Sequence, residues 1–88
     1  MNIYLGNLSS DVYENDVRKL IEPYGEVALI SVHEDKYSGR PRRFAFVKML
    51  QDKAAHAVIN ALNGMDLKGL AMSVMKADSS GEDMSTML

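Results

Sequence analysis

The spacing of the apolar residues changes from strand-like to helix-like twice along these 88 residues, each time in the same order. A β-rich stretch at 3–5 and a turn at 6–11 precede residues at i, i+3, i+4 and i+7 spacing: Val17, Leu20, Ile21 and Tyr24. Strand-like segments at 27–33 and 43–49 precede the same helical spacing in Ala55, Val58, Ile59 and Leu62. Residues 70–76 form a fourth strand-like segment. These patterns predict strand–helix–strand, repeated once.

Two strand–helix–strand units joined by a loop favour a ferredoxin-like βαββαβ sandwich of the α+β class. Because each crossover is right-handed, both helices are expected on one face of a four-stranded antiparallel sheet. The other face of that sheet has no helix to cover it. The organisation predicted is a domain over residues 1–77 and a flexible acidic tail over 78–88.

Composition narrows the possible functions. The chain has no cysteine, which excludes disulfides, thiolate metal sites and thiol catalysis. Two histidines, His33 and His56, lie too far apart for a usual metal cluster. The longest purely apolar runs are about four residues, against the roughly 20 that span a bilayer. We therefore expect a cytoplasmic protein with no membrane partner, no cofactor and no small-molecule substrate, and a monomer by default.

The charges are unevenly distributed along the chain. The net charge is −2, yet residues 36–51 carry five bases and no acid. Those bases are Lys36, Arg40, Arg42, Arg43 and Lys48. Residues 11–35 carry seven acids and two bases, and the tail carries three acids. Because binding follows local potential more than total charge, the basic segment marks a candidate binding surface.

Three rings are predicted to point to the uncovered face of the sheet. With Ile3 and Leu5 directed to the core, strand alternation turns Tyr4 outward. In the third strand, Phe44 and Phe46 alternate with inward residues in the same way. They are the only two phenylalanines in the chain, and burying a Phe stabilises a protein by roughly 1.5–3 kcal/mol. Their placement outside the core therefore indicates a binding surface.

Aromatic rings flanked by cations suit single-stranded nucleic acid, which offers flat bases for stacking and phosphates for charge pairing. Stacking contributes roughly 1–3 kcal/mol per base. Duplexes fit poorly because their bases are already stacked and a flat sheet enters neither groove. The residues alone do not separate RNA from single-stranded DNA.

Two motifs in these strands resemble those of RNA recognition motif domains. The hexapeptide IYLGNL at 3–8 is similar to the shorter ribonucleoprotein motif of that family. The octapeptide RRFAFVKM at 42–49 resembles the longer one, K/R-G-F/Y-G/A-F-V-x-F/Y. The resemblance covers residues 1 to about 77, and the short format resembles small bacterial proteins with one such domain, including those of cyanobacteria.

The resemblance implies a strand order of 4-1-3-2 and a single-stranded RNA partner. It implies that Tyr4 and Phe46 each stack a base, that Phe44 packs against sugars, and that Arg42 meets a phosphate. The flanking side chains expected to help bind RNA are Arg40, Arg43, Lys48, His33 and Lys76. Arg43 replaces a glycine of the motif, and Met49 replaces an aromatic residue that is normally internal.

Other interpretations remain open at this level. A register shift of one residue would bury the rings, at the expense of exposing Ile3, Leu5, Ala45 and Val47. A partner protein, a second copy of the chain or the acidic tail could instead cover the rings. An enzyme of acylphosphatase type would need an arginine in the first loop, and residues 6–10 contain none. We therefore expect a binding protein rather than an enzyme.

Overall fold

The computed structural model describes residues 1–36, 39 and 41–77. The predicted tail at 78–88 lies outside the described residues, as does Arg40. In chain order the elements are β1 (Asn2–Ser9), α1 (Glu14–Ile21), a 3₁₀ turn (Glu22–Tyr24), β2 (Val27–Asp35), β3 (Arg42–Met49), α2 (Asp52–Leu62), β4 (Asp66–Leu67), β5 (Leu70–Ala71) and β6 (Ser73–Lys76).

Four of these strands form one antiparallel sheet in the order β2-β3-β1-β6. The fourth strand of the predicted fold corresponds to β6, so the order is the expected 4-1-3-2 read from the other edge. Both helices pack against the same side of this sheet. The ferredoxin-like α+β arrangement predicted from the sequence is therefore confirmed.

The core lies between that side of the sheet and the helices. Ile3 and Leu5 of β1 and Ala45 and Val47 of β3 are buried, with exposed fractions of at most 1%. The helices contribute the apolar residues that the i, i+3, i+4 spacing selected, among them Val17, Ile21, Ala55 and Val58. Met49 is also fully buried, so its replacement of an aromatic residue is a change in packing.

Strand β1 continues through the segment that was expected to be a turn. Its register against β3 gains one residue between Leu5 and Leu8, which is a β-bulge. Asn7 lies in this bulge with φ of 58°, a left-handed conformation that asparagine adopts more readily than most residues. The residues that were predicted to form a turn are accommodated by the bulge, and β1 pairs with β3 again at Leu8 and Ser9.

The predicted strand at 70–76 is divided in two. Leu70–Ala71 pairs with Asp66–Leu67 in a short hairpin, while Ser73–Lys76 joins the main sheet. Lys68 and Gly69 make the hairpin turn, and both have positive φ. Between the two pieces, Met72 is buried and its N–H donates to the Met65 carbonyl at 2.9 Å. The hairpin therefore lies beside the sheet and is a separate element.

A carboxylate stabilises the start of α1. The Tyr13 N–H donates to Asp16 Oδ2 at 2.8 Å, and Lys68 Nζ of the hairpin donates to the same oxygen at 3.2 Å. These bonds, the Tyr13 N–H first, lower the pKa of Asp16 from its ordinary value of 3.8. The hairpin is thereby joined to the N-terminus of α1.

Two kinds of feature are missing from the described part of the chain. None of its helices combines the length and apolarity needed to cross a bilayer. Within the same residues, no group of three or more acidic, histidine or cysteine side chains is arranged to hold a metal ion.

Candidate nucleic-acid interface

Four rings meet on the side of the sheet opposite the helices. Tyr4 and Phe46 are cross-strand partners in β1 and β3, and His33 and Phe44 are cross-strand partners in β2 and β3. Their centroids lie 5.6 Å apart in the first pair and 5.3 Å apart in the second. We call this set of rings, with the surface around it, the ring face. The predicted outward direction of Tyr4, Phe44 and Phe46 is correct, and the register shift that would bury them does not occur.

The rings are not all in one plane. Phe44 is inclined by 28° to Tyr4 and by 26° to His33, so it is stacked with each of these two rings. Phe46 is inclined by 58° to Tyr4 and by 83° to Phe44. Tyr4, Phe44 and Phe46 are each half-buried, because they pack against one another with centroids 5.6 to 6.2 Å apart.

Gly6 provides the space that Tyr4 occupies. Gly6 is two residues from Tyr4 on the same strand, and both face the same side of the sheet. A Cβ built on Gly6 would lie 2.6 Å from the Tyr4 hydroxyl oxygen and 2.7 Å from its Cε2 atom. The Tyr4 ring therefore lies across the backbone of Gly6, where any larger residue would push it away.

Two further side chains extend the ring face along its rows. Met75 of β6 is the cross-strand partner of Tyr4, and it is 51% exposed. Ser31 of β2 is the cross-strand partner of Phe46, and its hydroxyl forms a hydrogen bond with His33 Nε2. The row through the two central rings is thus Ser31, Phe46, Tyr4 and Met75, one residue from each strand.

Cations stand at both ends of the ring face. Lys48 is exposed at one end, where it pairs with Asn2 of β1 and with Leu29 of β2, which is 61% exposed. Arg42 lies at the other end, and its Nε donates to Asn7 Oδ1 at 3.2 Å. The alternation in β3 therefore places Arg42, Phe44, Phe46 and Lys48 on one side, as the sequence predicts.

Arg43 does not belong to the ring face. It pairs with Leu8 of β1, whose side chain is buried under the helices, so Arg43 points to the helix side. Its guanidinium lies 4.9 Å from the centre of the Tyr13 ring, and its Nη2 is 3.6 Å from Glu34 Oε1. Its Nε is buried without a hydrogen-bond partner. The sequence left the direction of Arg43 open, and the structure turns this side chain away from the rings, where it connects β3 to the start of α1.

Lys76 also faces the helix side. It pairs with Ile3, a core residue, whereas Met75 pairs with Tyr4. The sequence predicts that Met75 and Lys76 both lie near RNA at the end of the fourth strand, but alternation from the buried Val74 directs only Met75 to the ring face. Arg40, the remaining predicted contact, is outside the described residues.

Comparison with known proteins agrees with the two sequence motifs. The model of the family described as RNA recognition motif matches residues 3–73. The chain belongs to the RNA recognition motif family. It is similar to the cyanobacterial protein RbpE of a Nostoc species, with 40% identity over 77 residues, covering 88% of this chain and 78% of that one.

Two solved structures share the fold of this chain. The crystal structure of RNA binding protein PG1 superposes with a TM-score of 0.80 and 36% identity, covering 91% of this chain and 96% of that one. The SXL-lethal protein in complex with RNA gives a TM-score of 0.74 at 31% identity, covering 86% of this chain and 47% of that one.

Proposed function

We propose that this chain binds single-stranded RNA on its ring face, acting as a monomer without a cofactor and without enzymatic activity. In this proposal bases stack on Tyr4 and Phe46, Phe44 packs against the sugars between them, and Arg42 and Lys48 pair with phosphates. The observation that carries the proposal is the contact of four rings on the helix-free side of the sheet, with a cation at each end.

Membership of the RNA recognition motif family supports this proposal. One structural relative is named as an RNA binding protein, and another is solved in complex with RNA. The ring geometry supports it independently, because half-buried rings held by the sheet lose little freedom when a base stacks on them. Two or three stacked bases and a few phosphate contacts correspond to a Kd on the order of micromolar.

The test is a fluorescence anisotropy titration of a labelled single-stranded RNA of random sequence. The double variant Tyr4→Ala, Phe46→Ala removes two stacking surfaces, so Kd should rise by about 30-fold or more. Tyr24→Ala is the matched control, because Tyr24 is an exposed aromatic residue of the 3₁₀ turn and lies away from the ring face. Unchanged affinity in a double variant that still folds would refute stacking on these rings.

Two other outcomes distinguish the alternatives. Equal affinity for DNA of the same sequence would make the protein a general single-strand binder. A dimer that persists after nuclease treatment and ignores added oligonucleotide would instead assign the ring face to a second copy of the chain. Sizing the protein by light scattering with and without nuclease separates these cases.

A further inference from the structure

The side chain of Asn7 joins two elements that are otherwise distant in sequence. Its Oδ1 accepts a hydrogen bond from Arg42 Nε at 3.2 Å, and its Nδ2 donates to the Ala71 carbonyl at 2.9 Å. Asn7 is placed for both bonds by the β1 bulge, where its backbone has φ of 58°. One amide group therefore connects β3 at the edge of the ring face with the β4–β5 hairpin.

The chemistry of the partners permits this arrangement in one orientation only. A guanidinium has donors and no acceptors, and a backbone carbonyl has acceptors and no donors. Rotating the amide of Asn7 by half a turn would place its NH₂ against Arg42 and its oxygen against the Ala71 carbonyl. Both hydrogen bonds would then become repulsive contacts, so the orientation of Asn7 is well determined.

The hairpin end of this connection is itself anchored. Lys68, at the hairpin turn, donates through Nζ to the Asp11 carbonyl at 2.6 Å and to Asp16 Oδ2 at 3.2 Å. The Ala71 carbonyl consequently belongs to a segment that is attached to the N-terminal region of α1. Asn7 thus connects the long side chain of Arg42 to backbone that has little freedom to move.

We propose that Asn7 is a positioning residue, which holds Arg42 at Nε so that the terminal nitrogens of the guanidinium meet an RNA phosphate. The inference rests on the proposed function and assigns to Asn7 no contact of its own with RNA. A free arginine side chain must be ordered when it binds, and that ordering weakens affinity. Because Asn7 already restricts Arg42, part of that ordering is complete before RNA arrives.

The experiment is a double-mutant cycle on affinity for the labelled single-stranded RNA. Asn7→Gly removes the amide and keeps a residue that adopts positive φ, so the bulge is retained. In the wild-type background it should raise Kd by about two- to tenfold. In the Arg42→Ala background it should have no further effect, because the side chain that Asn7 positions is gone.

Two readouts separate positioning from a merely structural role. Arg42→Ala should lower the slope of log K against log salt by about one, and Asn7→Gly should move that slope in the same direction. In the Lys48→Ala background Asn7→Gly should keep its full effect, because Lys48 lies at the opposite end of the ring face.

The results that overturn each claim are different. Equal effects of Asn7→Gly in the wild-type and Arg42→Ala backgrounds, with an unchanged salt slope, would reject positioning while leaving RNA binding intact. If Arg42→Ala itself changed neither Kd nor the slope, the assignment of Arg42 to a phosphate would fail first. That outcome would reject this part of the proposed function and the role of Asn7 with it.

Discussion

The ring of Tyr4 lies across Gly6, and a Cβ on Gly6 would stand 2.6 Å from the Tyr4 hydroxyl oxygen. Gly6 therefore matters because it has no side chain. The Tyr4 ring can lie flat on the sheet only if the next residue on the same face, Gly6, leaves that space empty. In this position the Tyr4 ring is inclined by 28° to Phe44.

Gly6→Ala should displace the Tyr4 ring and weaken RNA binding. We expect Kd to rise about fivefold or more, which corresponds to a loss of about 1 kcal/mol, the lower end of the binding free energy from stacking one base. The measurement is an anisotropy titration, with thermal unfolding to establish that the variant folds. In the Tyr4→Ala background the same substitution should have little additional effect, and a full effect there would show that Gly6 acts by another route.

Arg43→Gly restores the residue common in the longer motif and should leave RNA affinity within about twofold of wild type. The reason is that Arg43 lies on the helix side, against Tyr13 and Glu34. The free energy of unfolding should fall by about 1 kcal/mol, because the contacts with Tyr13 and with the exposed Glu34 are lost and glycine is less favourable inside a strand, while the unpaired buried Nε is removed. An increase in Kd as large as that of Arg42→Ala would contradict this placement.

Met75→Ala should weaken RNA binding more than Lys76→Ala. Met75 is the cross-strand neighbour of Tyr4 on the ring face, whereas Lys76 neighbours Ile3 on the helix side. Parallel titrations of the two variants at one salt concentration provide the comparison. The reverse order would show that charge at the end of β6 matters more than contact beside Tyr4.

The N-terminus of α1 should lose stability in acid through Asp16. Its pKa in the folded protein is lowered from 3.8, first by the Tyr13 N–H and then by Lys68. The stabilisation is therefore fully present above the ordinary pKa and is lost as the pH falls through the lower folded pKa. Thermal unfolding of wild type and Asp16→Asn should differ near neutral pH and converge in acid, once the pH has fallen through the lowered pKa of Asp16. A difference that persisted or grew in acid would contradict this linkage.

Strand alternation was sufficient to predict the ring face. Because Ile3, Leu5, Ala45 and Val47 must be buried together, the intervening aromatic residues of β1 and β3 had to point away from the helices. The same rule places Arg43 with Ala45 and Lys76 with Val74 on the helix side, whereas the selection of these two residues as RNA contacts followed their charge. The alternation of side chains along a strand predicts the direction of a residue better than its charge does.

Other features of the fold could not be predicted from the regular alternation of side chains, because they depend on local irregularities of the backbone. Regular alternation in β2 would place Ala28 on the same side as the buried Ile30, but a register shift between Val27 and Leu29 leaves Ala28 exposed. The bulge at Asn7 and the hairpin turn at Lys68 likewise need backbone conformations with positive φ. The bonds of Asn7 to Arg42 and to Ala71 follow from that bulge.

The central claim is that bases of single-stranded RNA stack on the ring face. Its most direct test is an NMR titration that follows the aromatic resonances of Tyr4, Phe44 and Phe46 together with the backbone amides. The account predicts large ring shifts at these residues and shifts along β1 and β3, with little change in the exposed amides of α1 and α2. Shifts concentrated on the helices, with unmoved ring resonances at saturating RNA, would contradict it.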